Sequence, residues 1–265
     1  MYSSFQLTKK YFHYYRSALN GKGHGMHSPF VFQFILHVLN NNSNYETPAS
    51  IEVLRRELLS DDRVLDIEDL GAGSRVAATK QRTVKQLAKT AVKPRKYGQL
   101  LHRLVKRYQP QTIVELGTSL GLTTAYLATA NPAATVITIE GSKAINRVAK
   151  DNFNTLQLLH INALQGNFDS VLPQVLQSIE KIDLGYVDGN HRLGPTLDYF
   201  EKFLQKAHND TILIFDDIHW SAEMEQAWQQ IQQHPEVQCT VDIFFLGFVF
   251  FRNEFKEKQH FTVRF

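Results

Sequence analysis

The stretch from Thr112 to Ala130 constrains this chain more than any other. An apolar, β-branched run from Thr112 to Leu116 reads as a strand. Gly117 and Gly121 follow, and Leu122 to Ala130 reads as a helix. Strand, glycine turn and helix in that order form a nucleotide-binding first turn. The glycines let the backbone pass close to a ligand, and the helix start offers unpaired N–H groups. A dinucleotide turn wants G-x-G-x-x-G, but Ser119 stands where the second glycine belongs. That disfavours a pyrophosphate, and with it a nucleotide-dependent oxidoreductase.

Glu115 sits on the strand just ahead of Gly117, where a carboxylate suits a cationic ligand group. The Glu-x-Gly-x-x-x-Gly pattern resembles motif I of the class I S-adenosylmethionine-dependent methyltransferases. The resemblance implies S-adenosylmethionine as cofactor, with Glu115, Gly117, Thr118, Ser119 and Gly121 around it. A second apolar strand, Thr135 to Ile139, ends in Glu140. That acid lies about 20 residues beyond the first glycine, where nucleotide folds place a ribose-binding carboxylate. Gly141 and Ser142 then turn the chain into a helix over 143–156, with Ser142 as N-cap. Both join the cofactor side of the site.

The resemblance narrows around this core. A Gly98-Gln-Leu-Leu helix start followed by Pro110-x-x-Ile-Val-Glu-Leu-Gly is similar to the catechol and caffeoyl-coenzyme A type of small-molecule O-methyltransferases. In that family the segment before the helix borders the methionine end of the cofactor, a place held here by Tyr97 and Gly98. The family also has Gly-Asp-Ala before a Leu-Pro helix. Here the run is Gly166-Asn167-Phe168, so the resemblance places Asn167 near the adenine amino group and Phe168 along the adenine ring.

A third strand is expected at Leu158 to Ile161, and a fourth from Ile182 to Val187 that ends in Asp188-Gly-Asn-His191. Ligands of open α/β sheets bind at the carboxyl ends of strands, so these residues face the substrate. Asp188 resembles the strand-four acid that holds a divalent cation in metal-dependent O-methyltransferases. His191 stands where that family often has a catalytic lysine. A neutral imidazole can accept a hydroxyl proton near neutral pH. The fifth strand, Thr211 to Phe215, ends in Asp216-Asp217, where the family shows Asp-Asn. Asp188, Asp216 and Asp217 would make an oxygen-rich site suited to Mg²⁺. Without a cation, one acid serves the acceptor and the others cap helices. The catalytic pair implied is His191 with Asp188, and Asp188 also borders the cofactor.

The rest of the chain frames this domain. Residues 3–20 form an aromatic, basic helix with Phe5, Phe12, Tyr15 and Leu19 on one face, which is expected to pack on the domain or on a second subunit as a homodimer. Ser28-Pro29 reads as a helix start, followed by an apolar helix over Phe30 to Leu39, and another helix runs over Pro48 to Leu59. His24 and His27 share a glycine-rich loop with no acid or cysteine beside them. An acid-glycine run from Val64 to Ser74 imitates a nucleotide turn, but no apolar strand ending in an acid follows it. A basic connection does, with Arg75, Lys80 and Arg82 among its cations and a helix over 82–91. Ser221 caps a helix over Ala222 to Gln233. Apolar runs on either side of Gly247 suggest a closing antiparallel pair, and Phe261 to Phe265 an edge strand.

The fold expected is a Rossmann-like, doubly wound α/β sheet, mostly parallel with an antiparallel closing strand. It occupies 95–265 behind a helical extension over 1–94. Net charge of +3 is too small to argue for nucleic acid or a membrane surface. The one cysteine, Cys239, fits a reducing cytoplasm. No signal peptide and no apolar run of about 18 residues are visible. The function expected is methyl transfer to the oxygen of a small-molecule acceptor. A non-catalytic cofactor-binding or scaffold protein is the other reading.

Overall fold

The computed structural model describes residues 1–23, 27–40, 48–67 and 81–265. The chain begins with α1 (Ser4–Ser17), then α2 (Pro29–Phe34), which runs into a π-helical turn at Ile35–Leu39. Next come α3 (Ala49–Leu58), β1 (Val64–Asp66), β2 (Gln81–Thr83), α4 (Val84–Thr90) and α5 (Arg95–Tyr108). The alternating part follows as β3 (Thr112–Leu116), α6 (Leu122–Ala130), β4 (Thr135–Glu140), α7 (Lys143–Thr155), β5 (Ile161–Gln165) and α8 (Phe168–Ser178). It continues with β6 (Leu184–Val187), α9 (Leu193–Leu204), β7 (Ile212–Asp216) and α10 (Ala222–Gln233). Three strands close the chain: β8 (Cys239–Asp242), β9 (Leu246–Phe250) and β10 (Gln259–Thr262).

Among the described residues an eight-stranded sheet runs in the order β10-β8-β9-β7-β6-β3-β4-β5. It is the mostly parallel α/β sheet that the sequence implies, with β9 antiparallel to both β7 and β8. β1 and β2 form a separate antiparallel ribbon. The acid-glycine run between them falls largely on residues 68–80, outside the described residues, as does His24 in its loop. No helix among the described residues is long and apolar enough to cross a membrane. The chain divides into two compact units, Asn42–Ser178 and Met1–Asn41 with Ile179–Phe265.

In the unit Asn42–Ser178, β3 pairs in parallel with β4, and β4 with β5. α6 has almost no polar face. Leu122, Ala125, Tyr126, Leu127 and Ala128 are all buried, because α3, α5 and β4 each pack on it. α5 is strongly two-sided, with Leu100, Leu101, Leu104 and Val105 fully buried. Gly98 lets α5 come close: a Cβ there would lie 2.3 Å from the ring of Tyr126. The third strand lies later than its apolar start suggested. It begins at Ile161, because Val136 to Glu140 of β4 are in register with Ile161 to Gln165. Leu159 is left 79% exposed.

In the other unit, β6 pairs in parallel with β7, and β10 in parallel with β8. Gly247 lies inside β9 and not at the turn, which falls at residues 243–245 instead. A Cβ at Gly247 would meet the ring of Trp228 at 2.6 Å. α2 is too short to be stable alone. It is held because Val31 and Phe34 are fully buried, and Phe34 packs edge-on against Phe248 and Phe250. Each such side chain contributes about 1.5–3 kcal/mol by leaving water. α1 packs on this unit with a different face from the one expected. Tyr14 and Ala18 are buried with Phe244, and Leu7 and Tyr11 pack on them. Phe5, Phe12, Tyr15 and Leu19 point to solvent. Five aromatic side chains on a single helix, Phe5, Tyr11, Phe12, Tyr14 and Tyr15, leave two candidate apolar faces, and Phe244 meets only one of them.

His102 is the buried titratable group of α5. Burial, with Lys106 and Arg103 nearby, holds its imidazole down at about 4, so it is neutral when folded. As pH falls from about 6.5 towards 4, the unfolded chain takes up a proton before the folded one does, and stability drops by on the order of 2–3 kcal/mol. We expect His102→Gln to narrow the loss of stability between pH 7 and pH 4.5, as measured by urea unfolding. An unchanged pH dependence would show that His102 is not held neutral.

Candidate functional site

The turn between β3 and α6 is bent by three residues with positive φ: Gly117 (101°), Ser119 (48°) and Gly121 (80°). At Gly121 a Cβ would also lie 2.5 Å from the ring of Phe153, so both backbone and space demand glycine. Ser119 holds the same left-handed region without being glycine. Its N–H donates to a carboxylate oxygen of Glu140 at 2.9 Å. The other Glu140 oxygen accepts from the N–H of Ser142 at 3.0 Å, and the Ser142 hydroxyl accepts from Ile145 N–H to cap α7. One carboxylate therefore ties the turn after β3 to the turn after β4. Gly117, Ser119, Glu140 and Gly141 are half-buried along this edge.

Beneath the turn lies a buried polar group. Glu115 has no exposure, and its carboxylate accepts from the hydroxyls of Thr124 and Thr138. The Thr118 hydroxyl pairs with that of Thr138 at 2.6 Å. Glu115 and Thr118 thus support the turn from inside. Tyr97 is buried on α5, beside the Gly98 contact already described. After β5, Asn167 is exposed, and its side-chain oxygen accepts from Asp169 N–H at 2.9 Å at the start of α8. Phe168 is half-buried next to it.

The unit containing β6 and β7 carries the acids. His191 Nε2 lies 3.5 Å from an oxygen of Asp188, so these two sequence candidates come together. Tyr186 was not singled out by its sequence. Its hydroxyl, with one proton to give, lies 3.4 Å from a carboxylate oxygen of Asp188 and 3.3 Å from one of Asp216. The signal was there, since residues two apart on a strand share a face. The expected cation site is not assembled. Among the described residues, no group of three or more His, Cys, Asp or Glu side chains could hold a metal ion. Asp216 is turned inward, meeting Tyr186 and accepting from Asp217 N–H at 2.8 Å. Asp217 has left-handed backbone (φ 53°), which bends the chain away from the strand line. The three acids named from the sequence are therefore not gathered into one ligand set.

Sequence reasoning also missed His219. Its Nε2 meets Asp242 at 2.8 Å and its Nδ1 meets Glu225 at 3.1 Å, while its ring stacks on Phe244. Burial alone would lower its pKa, but hydrogen bonds to the two carboxylates outweigh that and raise it to about 9. Burial opposes ionisation of Glu225, yet hydrogen bonds from His219, Tyr2 and Lys10 pull it down to about 2. The group is a charged network linking α1, α10 and the end of β8. Tyr2 N–H donates to the Trp220 carbonyl and brings α1 to the loop after β7.

Residues 114–218 match the family model described as a methyltransferase domain. No curated protein matches the chain. Similar solved structures include an O-methyltransferase from Bacillus cereus in complex with S-adenosylhomocysteine, at 17% identity and TM-score 0.58, covering 81% of this chain and 96% of that one. Another is the S-adenosylhomocysteine-bound methyltransferase PaMTH1 of Podospora anserina, at 11% identity and TM-score 0.61, covering 96% of this chain and 98% of that one. The O-methyltransferase TomG of Streptomyces achromogenes, in complex with S-adenosylmethionine, matches at 18% identity and TM-score 0.54 over 61% of this chain and 82% of that one. At such identities the likeness establishes the fold.

The steric argument at the glycine turn is testable. Gly121→Ala should cost about 1–3 kcal/mol in urea unfolding, from left-handed backbone strain plus the clash with Phe153. Adding Phe153→Leu should recover the steric part alone. A Gly121→Ala protein as stable as the parent would refute both causes.

Proposed function

We propose that this chain, whose residues 114–218 match the model of a methyltransferase domain, transfers the methyl group of S-adenosylmethionine to a hydroxyl oxygen of a small molecule. The observation that carries the reading is the grip of Glu140 on Ser119 and Ser142. It fixes an acid at the tip of β4 beside a glycine turn with left-handed backbone. A carboxylate held there can accept from ribose hydroxyls, and a turn without a Cβ at Gly117 lets an adenosyl group come close. In this reading Gly141 and Ser142 shape the ribose edge, Asn167 and Phe168 meet the adenine, and Tyr97 and Gly98 stand near the methionine end. Glu115 and Thr118 hold the turn from below. The domain boundary is placed at about residue 95.

When bound, the cofactor supplies an electrophilic methyl on a sulfonium. The chain's own part is to bind, orient and move one proton. His191 accepts the proton of the acceptor hydroxyl, and Asp188 orients its ring and favours the imidazolium that forms. Tyr186 keeps Asp188 in place. The greater part of the rate comes from holding the reacting atoms in line.

Calorimetric titration tests the cofactor. S-adenosylmethionine and S-adenosylhomocysteine should bind, and Glu140→Ala should weaken both by on the order of 10–100-fold. Absence of binding to folded protein would sink the proposal and favour a scaffold. With an acceptor that turns over, His191→Ala should lower kcat by about 100-fold or more while leaving cofactor affinity unchanged. A kcat unaffected by that substitution would remove His191 from the mechanism.

A further inference from the structure

α1 grips its own unit with one face and turns another to solvent. On the inner face, Tyr14 and Ala18 are buried with Phe244, and Tyr11 meets the Phe244 ring edge-on. The Tyr14 hydroxyl donates to the Val263 carbonyl at 2.5 Å. The Tyr2 hydroxyl and the Lys10 ammonium both donate to Glu225. Ser3 and Gln6 close a capping box at the helix start. The helix is therefore formed and fixed before any partner arrives. On the outer face, Phe5 is 79% exposed, Phe12 61% and Tyr15 50%. Steps of seven and then three residues put these rings on one side of the helix, over about 15 Å. Leu19, 39% exposed just past the helix end, extends the stripe.

The charge around the stripe indicates what covers it. Residues 1–45 contain Lys9, Lys10, Arg16 and Lys22 and no Asp or Glu. The net charge of +3 over the whole chain conceals this separation. Lys10 is taken up by Glu225 on the inner side. Lys9 and Arg16 are exposed, two turns apart along one edge of the stripe, and the Arg16 guanidinium lies over the Phe12 ring. At the other edge Arg264 lies over the Tyr15 ring, 4.9 Å from its centre. A second copy docked here would bring the same cations and no acid of α1 to meet them. The stripe offers on the order of 500 Å² of apolar surface, against about 800 Å² a side in a stable protein interface. A bilayer with anionic headgroups suits both parts. Its acyl chains receive the rings, and its phosphates receive the cations on their long stems. At 14 residues α1 is too short to cross such a bilayer, so it lies along the surface.

We propose that the outer face of α1 docks the chain on an anionic phospholipid bilayer, with Phe5, Phe12 and Tyr15 among the acyl chains and Lys9 and Arg16 at the headgroup phosphates. Docking needs no cofactor, so it stands or falls apart from the methyl-transfer reading. The test is sedimentation of the full chain with vesicles of phosphatidylcholine and phosphatidylglycerol in equal parts, and with vesicles of phosphatidylcholine alone. Saturable binding to the anionic vesicles is expected, far weaker binding to the neutral ones, and release as salt is raised. Phe5→Gln with Phe12→Gln should weaken binding at least about tenfold. Lys9→Gln with Arg16→Gln should weaken it about fivefold for each cation. All four side chains are exposed and glutamine is a good helix former, so the urea midpoint of either double variant should match that of the parent. No binding to anionic vesicles, equal binding to neutral ones, or indifference to either double variant would overturn the proposal. So would a concentration-dependent dimer in analytical ultracentrifugation that the Phe5→Gln and Phe12→Gln pair dissolves, because the stripe would then belong to a second copy.

Discussion

A carboxylate shut away from water lies at the centre of the glycine-turn region. Glu115 on β3 receives hydroxyls from Thr124 on α6 and Thr138 on β4. An unpaired charge in that place would cost several kcal/mol. The two threonines remove much of that cost, and in doing so they fix three elements to one another. The pairing of β3 with β4, the entry angle of α6 and the turn between them all depend on this arrangement. Glu140 repeats the device at the surface, where its two oxygens accept from backbone N–H groups of two successive turns. One acid works inward and the other at the rim. The rim acid is thereby held in place before any ligand arrives.

The second unit uses charge differently. Phe244 is a buried aromatic residue with left-handed backbone (φ 73°), a conformation costing roughly 1–3 kcal/mol for a residue with a side chain. Asp242 offsets that cost: one of its oxygens accepts from Phe244 N–H at 2.7 Å and the other meets His219. The Phe244 ring then stacks on the same imidazole and receives the edge of Tyr11 from α1. The turn between β8 and β9, the loop after β7 and the N-terminal helix are thus one mechanical assembly. α1 is part of the carboxyl edge of this unit and not a detached arm.

The parts legible in the sequence were those with local chemical causes. β3, α6 and α10 fall where their glycines, their apolar run and the Ser221 cap put them. The order of strand-end acids was legible for the same reason, since each follows an apolar run directly. Other features depended on partners distant in sequence. Apolarity alone drew the third strand to Leu158 and Leu159, whereas pairing with β4 starts it at Ile161. Gly247 resembled a turn, but its cause is the ring of Trp228 on another element. The Tyr186 hydroxyl gained a role only when β6 and β7 were placed side by side. His219 stood in full view, yet nothing near it in sequence marked Asp242 as its partner.

The charged network also constrains how pH acts on this half of the protein. The raised pKa of His219, about 9, means its contribution to stability is complete below its ordinary value of 6.5 and is lost as pH rises through 9. The lowered pKa of Glu225, about 2, means its contribution is complete above its ordinary value of 4.5 and is lost as pH falls through 2. Between about 5 and 6.5 both contributions are at full strength, and the pair remains ionised in the folded chain well beyond that on either side. The scaffold that carries the loop after β7 thus keeps one charge state across the range in which an ordinary histidine titrates.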